Sequence, residues 1–332
     1  MQNINSNLKI ILFTDSYYPL KDATSAFNKK ISKFLSKERE VTVVAPKSMF
    51  SEERYISSVQ KNLYIRRIPL PFIKTRYIPL KIFKFLSYCV LVSIYLILKK
   101  SKDNLYVIHS SPPLLIPYFA FLSFLKKSIF KKETKLIIIA HDLYPDILKH
   151  FKGIVSSSFI YSILKKIYLF SYRQYSGIIS CCDAIKELLI NDYNVLESKI
   201  VVIPCWSLIP AVIIEKFNKS KLDKSSKIPK LILMGNIGVL HLVENIKYVI
   251  SALINNHKYN PNIELFIRGS KSKWLLNNLE NSPYIFKRKI IPSKDLIKVY
   301  SEPSITFVSL ERNASLCAFP SRISTSLSLG AP

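Results

Sequence analysis

The sequence predicts an α/β protein with two doubly wound parallel sheets, one after the other along the chain. Three observations lead to this fold class. Short apolar runs alternate with segments of helical periodicity, the alternation restarts after a polar stretch at residues 216–227, and the chain has 332 residues. Such alternation is typical of parallel sheets, and chains longer than about 250–300 residues usually divide into domains. The simplest account is two Rossmann-like domains, residues 1–205 and 206–332.

The first domain opens with a predicted βαβ unit. Its strands are expected at residues 8–13 and 40–45, on either side of a helix at residues 25–35 whose apolar side chains recur at helical spacing. Further strands are predicted at residues 63–68, 105–109, 135–140, 177–181 and 200–203, with helix patterns between them. The run at residues 8–13 is followed directly by Asp15, so it is interpreted as a strand and not as a secretion signal.

The second domain is predicted to repeat the alternation after a linker or surface loop at residues 216–227. Strands are expected at residues 231–234, 263–268, 286–290 and 305–310. Helices are expected at residues 243–255, 272–279, 294–300 and 321–329.

The formal net charge of +27, from 49 Lys and Arg against 22 Asp and Glu, points to an anionic partner. Nucleic acid, phosphorylated ligands and acidic lipid all qualify. The lysines are spread over the whole chain, and no nucleic-acid recognition module is present, so nucleic acid is the least favoured of the three. The five cysteines are odd in number and lack CxxC spacing, which argues against a disulfide framework or a zinc site and fits a reducing cytoplasm.

Two apolar segments stand out, at residues 85–98 and 114–125. Both are shorter than the roughly 20 residues of a transmembrane helix. One interpretation makes them buried helices of the first domain. The other makes them basic-flanked helices that dock on an anionic membrane surface. The flanking lysines are Lys81, Lys84, Lys99, Lys100, Lys126, Lys127, Lys131 and Lys132.

The chain has only 6 glycines, and three glycine-marked joints fall in the second domain. Gly235 and Gly238 follow one predicted strand, Gly269 closes the next, and Gly330 ends the last helix pattern. In open α/β sheets, ligands bind at the carboxyl ends of strands, where helix N-termini offer N–H groups to phosphate. The alternative is that these are ordinary turn glycines.

In the first domain, His141 and Asp142 directly follow the predicted strand at residues 135–140 and lie in the loop at its carboxyl end. A histidine beside a carboxylate can bind a sugar hydroxyl and share charge at a reacting centre; alternatively, the pair caps the next helix. His109 and Ser110 end the preceding strand and are expected nearby. In the first loop, Thr24 and Ser25 are predicted to cap a helix. The chain has no Walker motif, GxGxxG or HExxH, which leaves nucleotide-kinase, dinucleotide and zinc-protease functions unsupported.

Taken together, six short motifs resemble a known family in their order along the chain. They are residues 15–19 (DSYYP), 110–113 (SSPP), 141–145 (HDLYP), 203–206 (IPCW), 235–238 (GNIG) and 319–322 (FPSR). The chain resembles retaining family-4 glycosyltransferases of the GT-B fold, and is most similar to bacterial cell-surface polysaccharide enzymes of the fucosaminyltransferase and colanic-acid type. That fold has two Rossmann-like domains facing across a cleft.

The resemblance implies a nucleoside-diphosphate sugar donor bound by the second domain and an acceptor bound by the first. His141 and Asp142 would contact the transferring sugar as the catalytic residues. The acceptor side would carry Thr24, His109 and Ser110. The donor would be bound by Gly235, Asn236, Gly238, Arg268, Gly269, Lys289, Ser321, Arg322 and Thr325. No metal or other cofactor is expected, because helix N-termini and an arginine can neutralise the leaving diphosphate.

Two departures from the family pattern qualify the expected function. The family's Glu-x7-Glu pair is replaced by Cys317 and Thr325, and the sequence ends at Pro332, so the second domain is expected to be incomplete. The expected function is transfer to a polyprenyl-diphosphate-linked or glycan acceptor in surface polysaccharide synthesis (capsule, O-antigen or exopolysaccharide), with the protein peripheral at the cytoplasmic face of the membrane. The alternative is an inactive homologue that acts as a binding subunit.

Overall fold

The computed structural model describes most of the chain and divides it into two compact units. The described residues are 8–20, 22–47, 61–69, 80, 83, 86–93, 103–110, 112–131, 133–150, 158–207, 209, 211–220, 229–256, 260–279, 281–289, 291 and 295–331. The first unit comprises residues 1–146 and 157–204, and the second comprises residues 147–156 and 205–332.

The first unit is built on a seven-stranded parallel sheet. Its strands are β1 (Lys9–Phe13), β2 (Val41–Pro46), β3 (Leu63–Ile68), β4 (Asn104–His109), β5 (Lys135–Ala140), β6 (Gly177–Ser180) and β7 (Ile200–Val202). The order in the sheet is β3-β2-β1-β4-β5-β6-β7, and every neighbouring pair is parallel. All seven predicted strands are confirmed to within one residue at each end. The order reverses between β1 and β4, which is where ligands of doubly wound sheets bind.

The helices of the first unit cover the faces of this sheet. They are α1 (Ala23–Leu35), α2 (Leu115–Phe130), α3 (Ser158–Gln174) and α4 (Asp183–Asn191). Residues 86–93 are also helical and fall within the predicted apolar segment 85–98, whose last residues lie outside the described chain. α2 runs five residues beyond the predicted end and stops where Lys131 adopts a left-handed φ of 51°. In the part of the chain that the structure describes, no helix has the length and apolar character needed to cross a membrane.

The second unit has a four-stranded parallel sheet in the order β10-β9-β8-β11. The strands are β8 (Lys230–Asn236), β9 (Ile263–Arg268), β10 (Ile285–Lys287) and β11 (Ser304–Thr306). The helices are α5 (Ala211–Ser220), α6 (Val243–Ile254), α7 (Ser272–Asn278), α8 (Leu296–Val299) and α9 (Ser321–Ser328). β11 is shorter than predicted because it pairs only with β8 and over only three residues. The order reverses between β8 and β11, so the candidate ligand crevice lies beside β8.

The predicted linker at residues 216–227 is wrong over its first five residues. The structure continues α5 to Ser220, and residues 221–228 lie outside the described chain. The reason is apolar spacing, since Phe217 is buried in a core with Ile209 and Ile232 while Ile214, three residues earlier, packs against the same core. The polar residues around Ile214 and Phe217 make this apolar helical face difficult to recognise in the sequence.

Candidate functional site

The most developed site of the second unit lies in the turn between β8 and α6, residues 235–242. Gly235 has φ +112°, and an added Cβ there would lie 3.3 Å from Cζ of Arg322. Gly269, at the carboxyl end of β9, has φ +113°, and its Cβ would lie 2.3 Å from Asn236 Oδ1 and 2.6 Å from the carbonyl oxygen of Ile237. Glycine at these two positions therefore lets the β9 end and a guanidinium approach the turn closely.

Arg322, near the start of α9, brings its guanidinium to this turn. Nη1 donates to the main-chain oxygen of Met234 at 2.5 Å, and Nη2 donates to that of Asn236 at 3.4 Å. Nη2 also lies 2.9 Å from Nε2 of His241. Burial lowers the pKa of Arg322, but an arginine side chain stays charged at neutral pH. A fixed cation therefore sits at the carboxyl end of β8.

His241 meets two hydrogen-bond donors at once. The main-chain N–H of Gly238 points at Nδ1 at 3.2 Å, and Arg322 approaches Nε2. Burial lowers the pKa of His241 to about 4, with help from the charges of Arg322 and Lys271, so the ring is neutral at physiological pH. A neutral imidazole has one acceptor nitrogen. The N–H of Gly238 and the guanidinium of Arg322 thus compete for the one acceptor lone pair of this ring.

A second cation, Lys271, binds main-chain oxygens of the same turn. Its Nζ donates to the main-chain oxygens of Val239 at 3.2 Å and His241 at 2.9 Å. Its own N–H donates to the main-chain oxygen of Ile237 at 3.1 Å. Lys271 was not among the predicted donor residues, although it follows Gly269 by two residues at the carboxyl end of a predicted strand. The cluster of Gly235, Gly238, His241, Lys271 and Arg322 is called the cation turn below.

The other predicted donor-binding residues lie at different distances from the cation turn. Asn236 and Gly269 belong to the same junction, and Arg268 ends β9 beside them, its main-chain oxygen accepting from Ile237 N–H at 2.6 Å. Lys289 is exposed beyond the edge strand β10, with β9 between that strand and β8. Ser321 begins α9 and is exposed, and Thr325 donates its hydroxyl to the main-chain oxygen of Ser321 at 3.5 Å.

The first unit has its own candidate site at the carboxyl ends of β4 and β5. His109 Nε2 and His141 Nδ1 lie 3.0 Å apart. His109 is 2% exposed, and burial, with the nearby His141, lowers its pKa to about 3. His109 is therefore neutral and engages one nitrogen of His141. The prediction that His109 lies near His141 is confirmed. Asp142 is half-buried beside His141.

The main chain of His141 is also bonded on both sides. Its N–H donates to Ser110 Oγ at 3.3 Å, and its carbonyl oxygen accepts from Cys181 Sγ at 3.3 Å. The ring of Phe27 packs edge-on against the imidazole, with ring centroids 4.3 Å apart. His109 and Ser110 are both buried, so they position His141. Nε2 is the ring nitrogen that His109 does not occupy, and it is the atom suited to meet a ligand hydroxyl.

The predicted capping of α1 by Thr24 and Ser25 is wrong. The cap is Asp22, whose Oδ1 accepts from the N–H of Ser25 at 2.8 Å while Oδ2 accepts from the hydroxyl of Ser16 at 2.5 Å. A helix cap accepts a hydrogen bond from the N–H three residues later, so Ser25 is the capped residue. Thr24 lies half-buried in the first turn of the helix.

The buried His109 makes stability depend on pH. In the unfolded chain it binds a proton below its ordinary pKa of 6.5, whereas in the folded chain it does so only near pH 3. Stability contributed by the neutral ring is therefore lost as the pH falls from 6.5 towards 3, by about 1.4 kcal/mol per pH unit. Urea unfolding between pH 7 and 4 should show this slope in addition to that of His241, whose pKa burial also lowers, and His109→Gln should remove the His109 share. An equal slope in both proteins would contradict the assignment.

Among the described residues, no group of three or more His, Cys, Asp or Glu side chains is arranged to hold a metal ion. All five cysteines are free thiols. The cation turn carries Arg322 and Lys271, which suits anion binding, and the His109–His141 pair suits the binding of a hydroxyl.

Comparison with solved structures identifies the fold. An α,α-trehalose-phosphate synthase (UDP-forming) from Burkholderia vietnamiensis is 10% identical, with a TM-score of 0.63 over 98% of this chain and 82% of that one. WaaG, a glycosyltransferase involved in lipopolysaccharide biosynthesis, is 11% identical, with a TM-score of 0.58 over 97% and 80%. A glycosyltransferase from Rickettsia africae ESF-5 is 17% identical, with a TM-score of 0.54 over 90% and 72%. At these identities the likeness shows the fold, which is GT-B.

Comparison with sequence families is more specific. No curated protein matches the chain. The profile of Glycosyltransferase Family 4 matches residues 29–206, more than half of the chain, including β4, β5 and His141. With the fold and the two sites in place, this match shows that the chain belongs to glycosyltransferase family 4.

Proposed function

We propose that this glycosyltransferase moves a sugar from a nucleoside diphosphate to a lipid-linked or glycan acceptor in the synthesis of a surface polysaccharide, with retention of the anomeric configuration. The second unit binds the donor and the first unit binds the acceptor. The solved synthase that shares the fold is UDP-forming, which supports a nucleoside diphosphate as the leaving group. WaaG, with the same fold, acts in lipopolysaccharide biosynthesis, which supports the class of product.

The cation turn is the observation that carries this proposal. A leaving diphosphate gains negative charge as the bond to the sugar breaks, and preorganised donors stabilise that charge. Arg322 supplies the fixed guanidinium, and Gly238 supplies an N–H that competes with Arg322 for His241. A phosphate oxygen would accept from both and remove that competition. In this proposal no metal is required, because the turn already supplies positive charge and N–H donors.

In the first unit, His141 is proposed to contact the transferring sugar through Nε2, with Asp142 beside it. The neutral His109 keeps the imidazole of His141 in place. The unit also carries exposed large apolar side chains on α2 and α3, among them Phe121, Phe124 and Phe159. The exposed Lys127 follows Phe124 by three residues on α2 and is paired with Glu133. Apolar side chains next to cations favour an anionic membrane surface, which supports a peripheral position at the cytoplasmic face of the membrane.

A second function, that of an inactive binding subunit, is favoured by two positions. Cys317 is 2% exposed, and its Sγ donates to the main-chain oxygen of Ala314 at 3.5 Å. Thr325 donates back to its own helix. The two positions that match the family's Glu pair therefore carry no carboxylate for a ribose or sugar hydroxyl. Activity and binding must be measured separately to distinguish the two functions.

The first test is a thermal-shift panel of UDP, GDP, ADP and CMP. A ligand that binds only the folded state raises the melting temperature with concentration, by about 2.7 kcal/mol of stability at one hundred times Kd. We expect one diphosphate to raise the melting temperature more than the others, and Arg322→Lys to reduce that shift. If none of the four changes the melting temperature up to millimolar concentration, the proposed donor site is wrong.

Transfer itself is tested with the sugar form of the nucleotide that binds. For an active enzyme, His141→Ala should lower the rate at least a hundredfold, the range expected for a positioned catalytic group, and leave the nucleotide-induced shift unchanged. Tyr64→Ala is the control, because Tyr64 is 50% exposed on the edge strand β3 and belongs to neither site. Equal background rates in the parent protein and His141→Ala would support the binding-subunit function.

A further inference from the structure

An open apolar groove lies on the first unit, away from the His141 side chain. Its volume is about 590 Å³, within the 300–1,000 Å³ typical of small-ligand pockets. The walls come from residues 86–93, from the N-terminal half of α2 and from the C-terminal half of α3. The lining residues are Leu86, Cys89, Leu114, Pro117, Tyr118, Phe121, Lys166, Ile167, Phe170 and Ser171.

The two hydroxyl groups of this lining are already bonded within the protein. The hydroxyl of Ser171 donates to the main-chain oxygen of Ile167 at 2.7 Å, and the hydroxyls of Tyr118 and Ser93 are hydrogen-bonded to each other. Burial raises the pKa of Cys89 to about 11, so its thiol is neutral. A peptide in the groove would bring backbone N–H and C=O groups without partners, at a cost of several kcal/mol. A hydrocarbon chain brings none.

The aromatic side chains of the groove are exposed. Phe121 is 51% exposed and Leu86 is 51% exposed, and Phe170 packs edge-on against Phe124 with ring centroids 5.5 Å apart. Contiguous exposed apolar surface of this kind marks an interaction site. A second copy of the chain is a poor occupant, since each copy carries a net charge of +27 and two such faces repel.

The position and charge of the groove indicate which kind of lipid it could bind. Lys166 is exposed at its rim, which suits a ligand with an anionic head. Leu114, at one end, is four residues beyond Ser110, whose hydroxyl accepts from the His141 N–H. That end of the groove therefore lies at the carboxyl edge of the sheet, the edge that carries His141.

We propose that the groove binds the hydrocarbon chain of the lipid-linked acceptor, with its phosphate near Lys166. This inference rests on the proposed function, because it identifies the acceptor as a lipid phosphate and not as a free glycan. In this proposal the apolar face of α2 and α3 binds one hydrocarbon chain in addition to contacting the membrane.

The experiment uses farnesyl phosphate as the probe in isothermal titration calorimetry with the full chain. We expect saturable binding, no binding of inorganic phosphate in the same range, and at least tenfold weaker binding in Phe121→Glu and Phe170→Glu. Phe159→Glu is the matched control, because Phe159 is on α3 and 73% exposed but does not line the groove. Lys166→Gln should weaken farnesyl phosphate about threefold at low salt and leave farnesol unchanged, with Lys135→Gln as its control.

Three results would overturn the assignment. Equal loss of farnesyl phosphate binding in Phe121→Glu and Phe159→Glu would show non-specific adsorption. If the parent protein binds no farnesyl phosphate and Phe121→Glu loses binding to phosphatidylglycerol vesicles, the face makes a bilayer contact only. A change of oligomeric state in Phe121→Glu with unchanged probe binding would show a contact between copies. Nucleoside diphosphate binding, measured on the same variants, should stay unchanged, so a failed groove and a failed donor site give different results.

Discussion

Arg322→Lys should weaken the affinity for the nucleoside diphosphate by about ten- to a hundredfold. The guanidinium donates through Nη1 to Met234 and through Nη2 to Asn236, and a single ammonium cannot span both oxygens and still face a phosphate. Hydrogen bonds to charged groups contribute about 1.5–3 kcal/mol each, and about 1.4 kcal/mol corresponds to a factor of ten. Isothermal titration calorimetry of the nucleotide that gives the largest thermal shift measures the change.

The control for this change is Arg312→Lys, the same substitution at an exposed position outside the cation turn. It should leave the dissociation constant within twofold of the parent value. If both variants lose affinity equally, the effect comes from the overall charge and the specific role of Arg322 is wrong. If neither does, the diphosphate binds elsewhere.

Gly269→Ala should lower the free energy of unfolding by roughly 2–4 kcal/mol. At φ +113° an alanine is strained, and its Cβ would lie 2.3 Å from Asn236 Oδ1 and 2.6 Å from the main-chain oxygen of Ile237. Backbone strain of this kind costs about 1–3 kcal/mol, and overpacking adds a similar amount. Urea unfolding measures the loss, and nucleotide affinity should fall with it because the turn must move.

Gly238→Ala provides the matched comparison within the same turn. An added Cβ there meets only Asn236 Nδ2, at 3.9 Å, which is ordinary van der Waals contact. We expect a change below about 1 kcal/mol, the usual range for a surface substitution without strain. A loss at Gly238 as large as that at Gly269 would contradict the geometry of the β8–β9 junction.

The strands of both sheets were predictable because buried parallel strands have a local signal. Runs such as residues 135–140 are apolar, β-branched and bounded by turn residues, so periodicity and composition are sufficient. The end of α5 was assigned to a linker because its apolar face has few residues, and the burial of Phe217 depends on Ile232 in a distant strand. Helix ends were less well predicted; α2 continues through Lys126 and Lys127 because neither lysine breaks a helix.

The candidate sites were predictable to a lesser degree. Glycines after strands and the position of Arg322 follow from motifs, but the contacts of Lys271 and His241 join different βα loops. Such contacts depend on strand order, which local sequence does not contain. The same reason explains the His109–His141 pair, whose proximity was expected from two adjacent strands but whose hydrogen bond was not. The cap of α1 was misassigned because Asp22, Thr24 and Ser25 are all capping residue types, and only geometry selects among them.

Arg322 and Lys271, the two cations of the cation turn, are held by main-chain oxygens. Arg322 binds those of Met234 and Asn236, and Lys271 binds those of Val239 and His241. Every residue type carries a carbonyl oxygen, so the side chains at Met234 and Val239 can change during evolution without displacing either cation. A side chain at Gly235 or Gly269, by contrast, would meet Arg322 or the turn itself, so these two positions do not have the same freedom to change.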